Sequence, residues 1–288
     1  MCHSQDNCLS NIENGVLLMK DNFGDRMKFY ESFETERRLM PLLPAVARMD
    51  GICFHNFCRK LKRPYDERLS SLMIALAVEL AKEFNANAAY TQSDEITLGW
   101  NIEDYESEMF CNGRILKLNS HLAAKTSVKF NSLLPDFIPE KAKDEACFDA
   151  RIMNLPNPIE AANMFLWREF DATRNSIQMA GQAYFSHKQL HGKNGSLIQE
   201  MLFQEKGINW NDYPAFFRRG TFILRRKVKQ PPDLSKIPEK HRNRVDPNIL
   251  IEKSEFIKYD MPPFSKVANR ERVLFFGEEP ILNQAITA

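Results

Sequence analysis

The sequence has few cysteines and no long apolar run, and each shortage excludes a class of protein. Six cysteines stand at positions 2, 8, 53, 58, 111 and 147 of 288 residues, without a Cys-x-x-Cys pair. This spacing supports neither a structural zinc site nor a disulfide framework, so we expect reduced thiols. No apolar stretch approaches the ~20 residues that span a bilayer. We therefore expect a cytoplasmic protein without a membrane anchor.

The first residues also lack the features of a targeting segment. They carry charged and amide residues where a signal peptide needs an apolar core, and they lack the arginine-rich, acid-poor character of a transit peptide. The sequence does not decide against a mitochondrial form. Residues 1–20 have little apolar periodicity, which predicts a flexible N-terminal tail.

The charge of the chain is balanced overall but concentrated in one segment. The formal net charge is +1, and 43% hydrophobic residues suffice for one large or two coupled domains. Residues 218–244 contain ten lysines and arginines against two acids. Such a segment is either a solvated tail or, if the partner is a nucleic acid, a phosphate-binding arm.

The hydrophobic pattern predicts a strand, a helix and a hairpin in the first half. Residues 44–50 read as a buried strand ended by Gly51, and residues 66–84 as an amphipathic helix with Asp66 as its N-cap. Residues 88–90 and 96–100 flank a polar turn at 92–95. This order favours an α+β fold, a polymerase palm-like antiparallel sheet flanked by helices.

The second half is predicted to be mostly helical. Helices are expected at 110–130 and 159–185, with a strand at 148–155 between them and another at 221–228, before a proline-punctuated tail. We expect a palm-like catalytic domain at 21–155. Residues 156–288 then form a helical region with a strand and a basic C-terminal arm, packed on the catalytic domain.

Two acids stand where apolar runs meet turns, Asp50 and Asp94. Mg²⁺ prefers few protein carboxylates together with phosphate oxygens, so these two acids and a nucleotide would satisfy it. In a two-metal arrangement, one ion activates the attacking hydroxyl and the other neutralises the leaving pyrophosphate. Backbone N–H groups of residues 51–55 would cradle a triphosphate. By spacing alone, acids at a hairpin turn are more often simply solvated.

Several ordered motifs surround these acids. The segments are 49–57, 61–68, 90–96, 148–151, 167–178, 185–192, 200–203, 207–212 and 218–220. Together they closely resemble the tRNA-His guanylyltransferase superfamily over roughly residues 26–225. The resemblance implies a palm-like enzyme that extends RNA in the 3′-to-5′ direction. In this family ATP activates a tRNA 5′-monophosphate, or a triphosphorylated end is used directly, and the 3′-hydroxyl of an incoming nucleotide attacks.

The resemblance also assigns roles to residues. It implies two Mg²⁺ ions held by Asp50, Asp94 and the main-chain carbonyl of Gly51, with Glu95 counted among the catalytic acids. ATP and GTP are the expected substrates. The nucleotide-binding residues that match the family are Asp50, Gly51, Ile52, Cys53, Phe54, His55, Arg63, Ser93 and Asp94. Beside this site, Arg59, Lys60, Lys62 and Arg63 are expected to contact phosphates.

One departure indicates the branch of the family. Eukaryotic enzymes that add guanosine to tRNA-His carry His-Ile-Asn-Asn where this chain has Thr173-Arg-Asn-Ser176. The stretch 171–178 resembles the guanylyltransferase-like branch, which repairs 5′-truncated tRNAs on a template. Obligate tRNA-His maturation is the alternative. By resemblance we expect a homo-tetramer, and the expected RNA contacts are Arg174, Asn175, His187, Lys188, Asn209, Arg218 and Arg219.

Two further functions stay open. A nucleotide cyclase shares palm-like architecture and paired acids, but it needs no basic tail. A non-catalytic RNA-binding module would have no need to keep Asp50 and Asp94 together. The three tryptophans, Trp100, Trp167 and Trp210, are most simply packing residues.

Overall fold

An antiparallel sheet of six strands forms the centre of this computed structural model, which describes residues 12–13, 16–17, 23–105, 107, 109–233, 239 and 249–283. The strand order is β6-β3-β5-β4-β7-β8. The bounds are β3 Ala45–Gly51, β4 Ala88–Gln92, β5 Glu95–Trp100, β6 Phe148–Asn154, β7 Thr221–Gln230 and β8 Ile251–Tyr259. A separate antiparallel pair consists of β1 Ile12–Glu13 and β2 Val16–Leu17.

Helices cover both faces of the sheet. Within the described ranges they are α1 Phe23–Thr35, α2 Phe54–Phe57, α3 Glu67–Glu83, α4 Ile115–Phe137, α5 Pro158–Tyr184, α6 His187–Leu190, α7 Gly195–Lys206 and α8 Ala215–Arg219. Short 3₁₀ turns stand at Phe110–Gly113, Pro139–Lys141, Trp210–Asp212 and Phe264–Lys266, and a π-helix at Arg272–Phe276. No helix of this described part combines the length and apolarity that a membrane crossing requires.

Alternation along β3 sets the two faces of the sheet. Ala47 and Met49 pack into the core with α3 and α4, whereas Val46 belongs to the core with α5. Because successive strand residues point to opposite faces, Arg48 and Asp50 lie on the α5 side with Val46. The same alternation places Asp149 and Arg151 of β6 on this face, since Phe148 and Ile152 pack on the other. The charged side chains are therefore gathered on one face.

The predicted α+β class, a sheet flanked by helices, is confirmed. The strand at 44–50, the helix at 66–84 and the hairpin are found within a few residues, and the side chain of Asp66 caps α3 by accepting from Arg68 N. The hairpin turn is tighter than predicted. It contains Ser93 and Asp94 alone, because Gln92 and Glu95 already pair across β4 and β5.

The region after residue 230 differs from the predicted tail. Strand β8 pairs with β7 along its whole length, and Phe264, Val273 and Leu274 are buried in the α5 core. One sheet thus takes strands from both sides of residue 155, and the domain division there stays a prediction. Of residues 1–20, the described ones form the β1–β2 pair. The rest of the predicted tail, and residues 234–238 and 240–248 of the arm, lie outside the described residues.

Gly220 joins α8 to β7 in a backbone conformation that favours glycine, with φ 77°. A Cβ there would lie 2.4 Å from the Tyr90 hydroxyl. We expect Gly220→Ala to lower the free energy of unfolding by roughly 2–5 kcal/mol, because strain and overpacking add.

The measurement is urea unfolding at equilibrium. The matched control is Gly192→Ala. Gly192 also has a positive φ, 70°, but a Cβ there would meet no atom within 4 Å. We expect this variant to lower the free energy of unfolding by about 1–2 kcal/mol. Equal losses in the two variants would show that the contact with Tyr90 is irrelevant.

Candidate active site

The two acids predicted from the sequence meet at one end of the sheet. Asp50 of β3 lies opposite Glu95 of β5, and the turn that precedes Glu95 brings Asp94 beside Gly51. A Cβ on Gly51 would lie 3.0 Å from Asp94 Oδ2 and 2.5 Å from the Phe54 ring. Glycine at position 51 is therefore what lets the Asp94 carboxylate approach the end of β3.

Asp50 belongs to a row of three carboxylates on the α5 face of the sheet. In register, Asp149 of β6 lies opposite Asp50, and Asp50 lies opposite Glu95. Two members of the row have cationic partners. Asp149 pairs with Arg151 at 2.8 Å, and Glu95 pairs with Arg168 of α5 at 2.6 Å.

Asp50 and Asp94 differ from the acids around them. In the part of the chain that the structure describes, neither has an ion-pair partner. Burial raises the pKa of Asp94, and the nearby charge of Asp50 raises it further, although a hydrogen bond with Ser93 opposes the shift. Two close anions that are not ion-paired are unfavourable to each other, so the pair favours a bound cation.

The donor set suits a hard divalent ion. Two carboxylates and the adjacent main-chain carbonyl of Gly51 are oxygen ligands, which Mg²⁺ prefers. Among the described residues, no group of three or more His, Cys, Asp and Glu side chains is placed to hold a metal. A Mg²⁺ site built on two carboxylates needs none, because water and phosphate oxygens complete its coordination.

Glu95 has a structural task in addition to its place beside the site. Its carboxylate accepts from Arg168 Nε, and Arg48 lies 3.9 Å away on the next strand. Burial raises the pKa of Glu95, and the two arginines work against that rise. This ion pair ties α5 to the sheet, and a direct catalytic part for Glu95 stays a prediction.

Two cavities meet at Asp94. One of about 370 Å³ lies against the loop before α3, and its lining includes His55, Lys62, Arg63, Tyr65, Phe216 and Phe217. The other, of about 350 Å³, lies under α5, and its lining includes Asp50, Tyr90, Glu95, Arg168, Asp171, Asn175 and Gln178. Gln92, Ser93, Asp94, Met179 and Gln182 line both. We call them the basic cavity and the acidic cavity.

The predicted phosphate cradle at residues 51–55 is only partly available. The Ile52 N–H donates to the Cys147 carbonyl at 2.8 Å, so the prediction that it faces a phosphate is wrong for this geometry. Cys53 has φ 52° and starts the short helix α2. The N–H groups of Cys53, Phe54 and His55 have no backbone partner among the described residues. The Phe54 side chain is buried in the core, and the residue also borders the basic cavity.

Two of the four cations in the loop before α3, Lys62 and Arg63, line the basic cavity. Arg59, Lys60, Lys62 and Arg63 are exposed, and none has an ion-pair partner in the described chain. The loop that bears them is held by Asp66, which accepts from Lys62 N and from the Arg68 guanidinium. Arg63 therefore lies where it can reach a phosphate in the basic cavity, and that contact stays a prediction. Cys58 lines the same cavity, and burial raises the pKa of its thiol to about 11, so it is not a thiolate nucleophile.

The predicted RNA contacts lie on several different elements. Asn175 lines the acidic cavity, and Arg174, next to it, is ion-paired with Asp171. His187 and Lys188 are exposed on α6, away from these cavity linings. Asn209 caps a 3₁₀ turn by accepting from Asn211 N. Contact with RNA stays a prediction for each of them.

The arginines of the basic segment have partners inside the protein. Arg218 donates to the Tyr213 carbonyl at 2.6 Å, and Arg219 pairs with Glu169 at 3.4 Å. Arg225 donates to Asn85 and to the Ala86 carbonyl, and Arg226 to the carbonyls of Val273 and Glu278. Lys227 pairs with Glu252 across β7 and β8. Most of the described cations of this segment therefore have partners inside the protein. Contact of Arg218 and Arg219 with RNA stays a prediction.

Sequence reasoning named only Asn175, as an RNA contact, from the helical wall of the acidic cavity, and it missed the other members. The members of this wall come from one stretch of α5: Arg168, Asp171, Asn175, Gln178 and Gln182. They recur every three or four residues, which places them on one helix face. That polar periodicity within the motif at 167–178 is the signal that would have found them.

The chain is similar to a known family and to solved structures. A family model described as tRNAHis guanylyltransferase matches residues 25–156. A structure of a bacterial tRNA(His) guanylyltransferase-like protein in complex with ATP is 31% identical, with a TM-score of 0.71 over 88% of this chain and 99% of that chain. A second such structure, in complex with GTP, is 27% identical, with a TM-score of 0.66 over 85% of this chain and 95% of that chain. A probable tRNA(His) guanylyltransferase of Drosophila melanogaster is 28% identical over 70% of this chain and 74% of the relative.

Asp66 provides a test of the loop that borders the basic cavity. Hydrogen bonds from Arg68 lower the pKa of Asp66 from 3.8 to about 2. Because the folded pKa lies below the unfolded one, this stabilisation is present above about pH 4 and is lost as the pH falls towards 2.

We expect Asp66→Asn, which keeps the capping oxygen, to lower the free energy of unfolding by about 1 kcal/mol at neutral pH. This value allows for solvent screening, because the Arg68 side chain is half exposed. Urea unfolding between pH 7 and pH 3 measures the difference in free energy of unfolding between the variant and wild type. This difference should become smaller as the pH falls. The exposed neighbour Glu67→Gln is the control and should show no such trend. A constant difference across this range would contradict the ion-pair explanation.

Proposed function

Because this chain belongs to the tRNA(His) guanylyltransferase superfamily, a family of nucleotidyltransferases, we propose that it adds nucleotides to tRNA 5′ ends in the 3′-to-5′ direction. We further propose that it repairs 5′-truncated tRNAs on a template. The observation that supports this most directly is the uncompensated pair Asp50 and Asp94 at the junction of two cavities.

The residues around this pair suit a metal-dependent transfer. The carboxylates of Asp50 and Asp94 and the carbonyl of Gly51 would hold Mg²⁺. Two bound ions supply activation of the attacking hydroxyl and neutralisation of the leaving pyrophosphate. The closeness of Asp94 to Gly51 fits this role, because any side chain at position 51 would occupy the gap between them.

The two cavities suit two different substrates. In the basic cavity, Lys62 and Arg63 and the N–H groups that begin α2 offer partners for a triphosphate, and Tyr65 offers an aromatic wall for a base. The acidic cavity then receives the RNA 5′ end on the other side of Asp94. ATP and GTP in the two bacterial relatives support nucleoside triphosphates as substrates here.

The stretch 173–176 of α5 favours repair over obligate tRNA-His maturation. Thr173 donates its hydroxyl to the Glu169 carbonyl, and the buried Ser176 hydroxyl bonds to the Thr173 carbonyl. No imidazole stands in this stretch. Maturation of tRNA-His remains the second candidate, favoured by the function named for the Drosophila relative.

A nucleotide cyclase and a non-catalytic RNA-binding module have less support. Family membership favours tRNA over a cyclised nucleotide as the product. A non-catalytic module gains nothing from a half-buried carboxylate such as Asp94 that lies near Asp50 without an ion-pair partner among the described residues. The homo-tetramer and the cytoplasmic location stay predictions.

A single assay tests the proposal. The protein is incubated with Mg²⁺, ATP, GTP and a tRNA that lacks its first nucleotide, and 5′ extension is followed on a gel. Asp50→Ala and Asp94→Ala should each reduce extension by at least about 100-fold, because each removes a metal ligand. EDTA should abolish extension in the wild type.

The matched control is Asp149→Ala, a carboxylate of the same row that is already neutralised by Arg151. It should keep extension within about tenfold of wild type. Equal activity of Asp50→Ala and wild type would disprove the metal assignment, and no extension by wild type would disprove the function. Addition of one guanosine to intact tRNA-His alone, without filling of truncated tRNAs, would favour maturation.

A further inference from the structure

Trp167 stands apart from the other two tryptophans. Trp100 and Trp210 are buried, with 5% and 8% of their surface exposed, whereas Trp167 is 46% exposed. It lies on α5 four residues before Asp171, which lines the acidic cavity. Because residues four apart share a helix face, Trp167 lies on the same side of α5 as Asp171. Packing alone, as expected from the sequence, does not explain an indole that is half exposed beside the site.

Two guanidinium groups hold the ring in place. The Cζ atoms of Arg168 and Arg48 lie 4.4 Å and 5.6 Å from its centroid. Both arginines also lie beside Glu95, at 2.6 Å and 3.9 Å. The orientation of the indole is therefore fixed by the same ion-pair network that ties α5 to the sheet. A flat aromatic surface that is already ordered loses little entropy when a ligand stacks on it.

The indole lies close to Arg48 of β3, the strand that also bears Asp50. Arg48 precedes Asp50 by two residues on the same face of β3, which corresponds to roughly 6–7 Å along a strand. The neighbouring edge of the sheet is open to solvent, since 47% of the Arg151 side chain is exposed. A ligand that lies on this edge thus reaches both the indole and Asp50.

We propose that Trp167 is a stacking platform for the base of the 5′-terminal nucleotide of the RNA. The phosphate of that nucleotide then lies at Asp50 and Asp94, and its base covers the exposed part of the indole. Single-stranded ends are recognised in this way because every base offers a π-face to an aromatic side chain. The inference rests on the proposed function, since it assumes an RNA 5′ end in the acidic cavity.

The experiment measures RNA binding without turnover, in the full chain with Mg²⁺ and without nucleoside triphosphates. The probe is an RNA hairpin with a 5′-monophosphate recessed by one nucleotide, labelled at its 3′ end for fluorescence anisotropy. A twin hairpin lacks only the base of the 5′-terminal nucleotide. Wild type, Trp167→Ala and Trp167→Phe are compared, with Phe170→Ala as the control, an aromatic residue of α5 that is similarly exposed.

Loss of the terminal base should weaken wild-type binding by at least about fivefold, the lower end of base–aromatic stacking. Trp167→Ala should weaken binding of the intact hairpin by a similar factor and bind both hairpins equally. Trp167→Phe should keep most of the base dependence, and Phe170→Ala should keep all of it. The indole emission of wild type should be quenched by acrylamide, and the intact hairpin should protect it.

The same base dependence in Trp167→Ala and wild type would overturn the inference. So would an indole already shielded from acrylamide in the free protein, because a second copy of the chain would then cover it. Base-dependent binding through Trp167 without 5′ extension would overturn the proposed function alone. Extension without any base dependence would overturn the stacking role alone, and absence of RNA binding would overturn both.

Discussion

The antiparallel register between β3 and β5 brings two carboxylates together that are far apart in the chain. Asp50 ends one strand and Asp94 stands in the turn before the other, so the sheet must hold both against their repulsion. Behind them, Met49 and Ile96 are fully buried. Each such side chain stabilises the fold by about 1.5–3 kcal/mol, which works against the repulsion of the two carboxylates. The buried apolar face of the sheet therefore stabilises the register that brings the carboxylates together on the other face.

Helix α5 depends on the same register. Its inner residues, such as Phe165, are fully buried against the sheet, while its polar residues line the acidic cavity. The ion pair between Arg168 and Glu95 joins these two functions, because it is largely buried and has good geometry. Breaking a buried pair on one side leaves an uncompensated charge, which typically costs several kcal/mol. Glu95 therefore acts on the site through the position of α5 as much as through its nearness to Asp50.

The parts that sequence predicted are those that follow from local periodicity. The buried run before Gly51, the amphipathic helix capped by Asp66 and the hairpin all have patterns that one segment contains by itself. Strand β8 has no such pattern. It lies at an edge of the sheet and is mostly exposed, and its pairing with β7 is what defines it. The Ile52 N–H could not be assigned either, since its partner is the carbonyl of the distant Cys147.

The number of basic residues in a segment does not tell which of them have partners inside the protein. Residues 218–244 look like a free basic arm, yet Arg225 and Arg226 donate to main-chain carbonyls of neighbouring segments. The short loop with Lys62 and Arg63 contains fewer cations, but they are unpaired and face a cavity. Arg225 and Arg226 keep their charge, but Lys62 and Arg63 are the cations that line a cavity beside Asp94 and can donate directly to a phosphate there. Because Asp50, Glu95 and Asp171 line the other cavity, the two sides of Asp94 differ in charge, and a phosphate has unpaired cationic partners only on the side of Lys62 and Arg63 among the described residues.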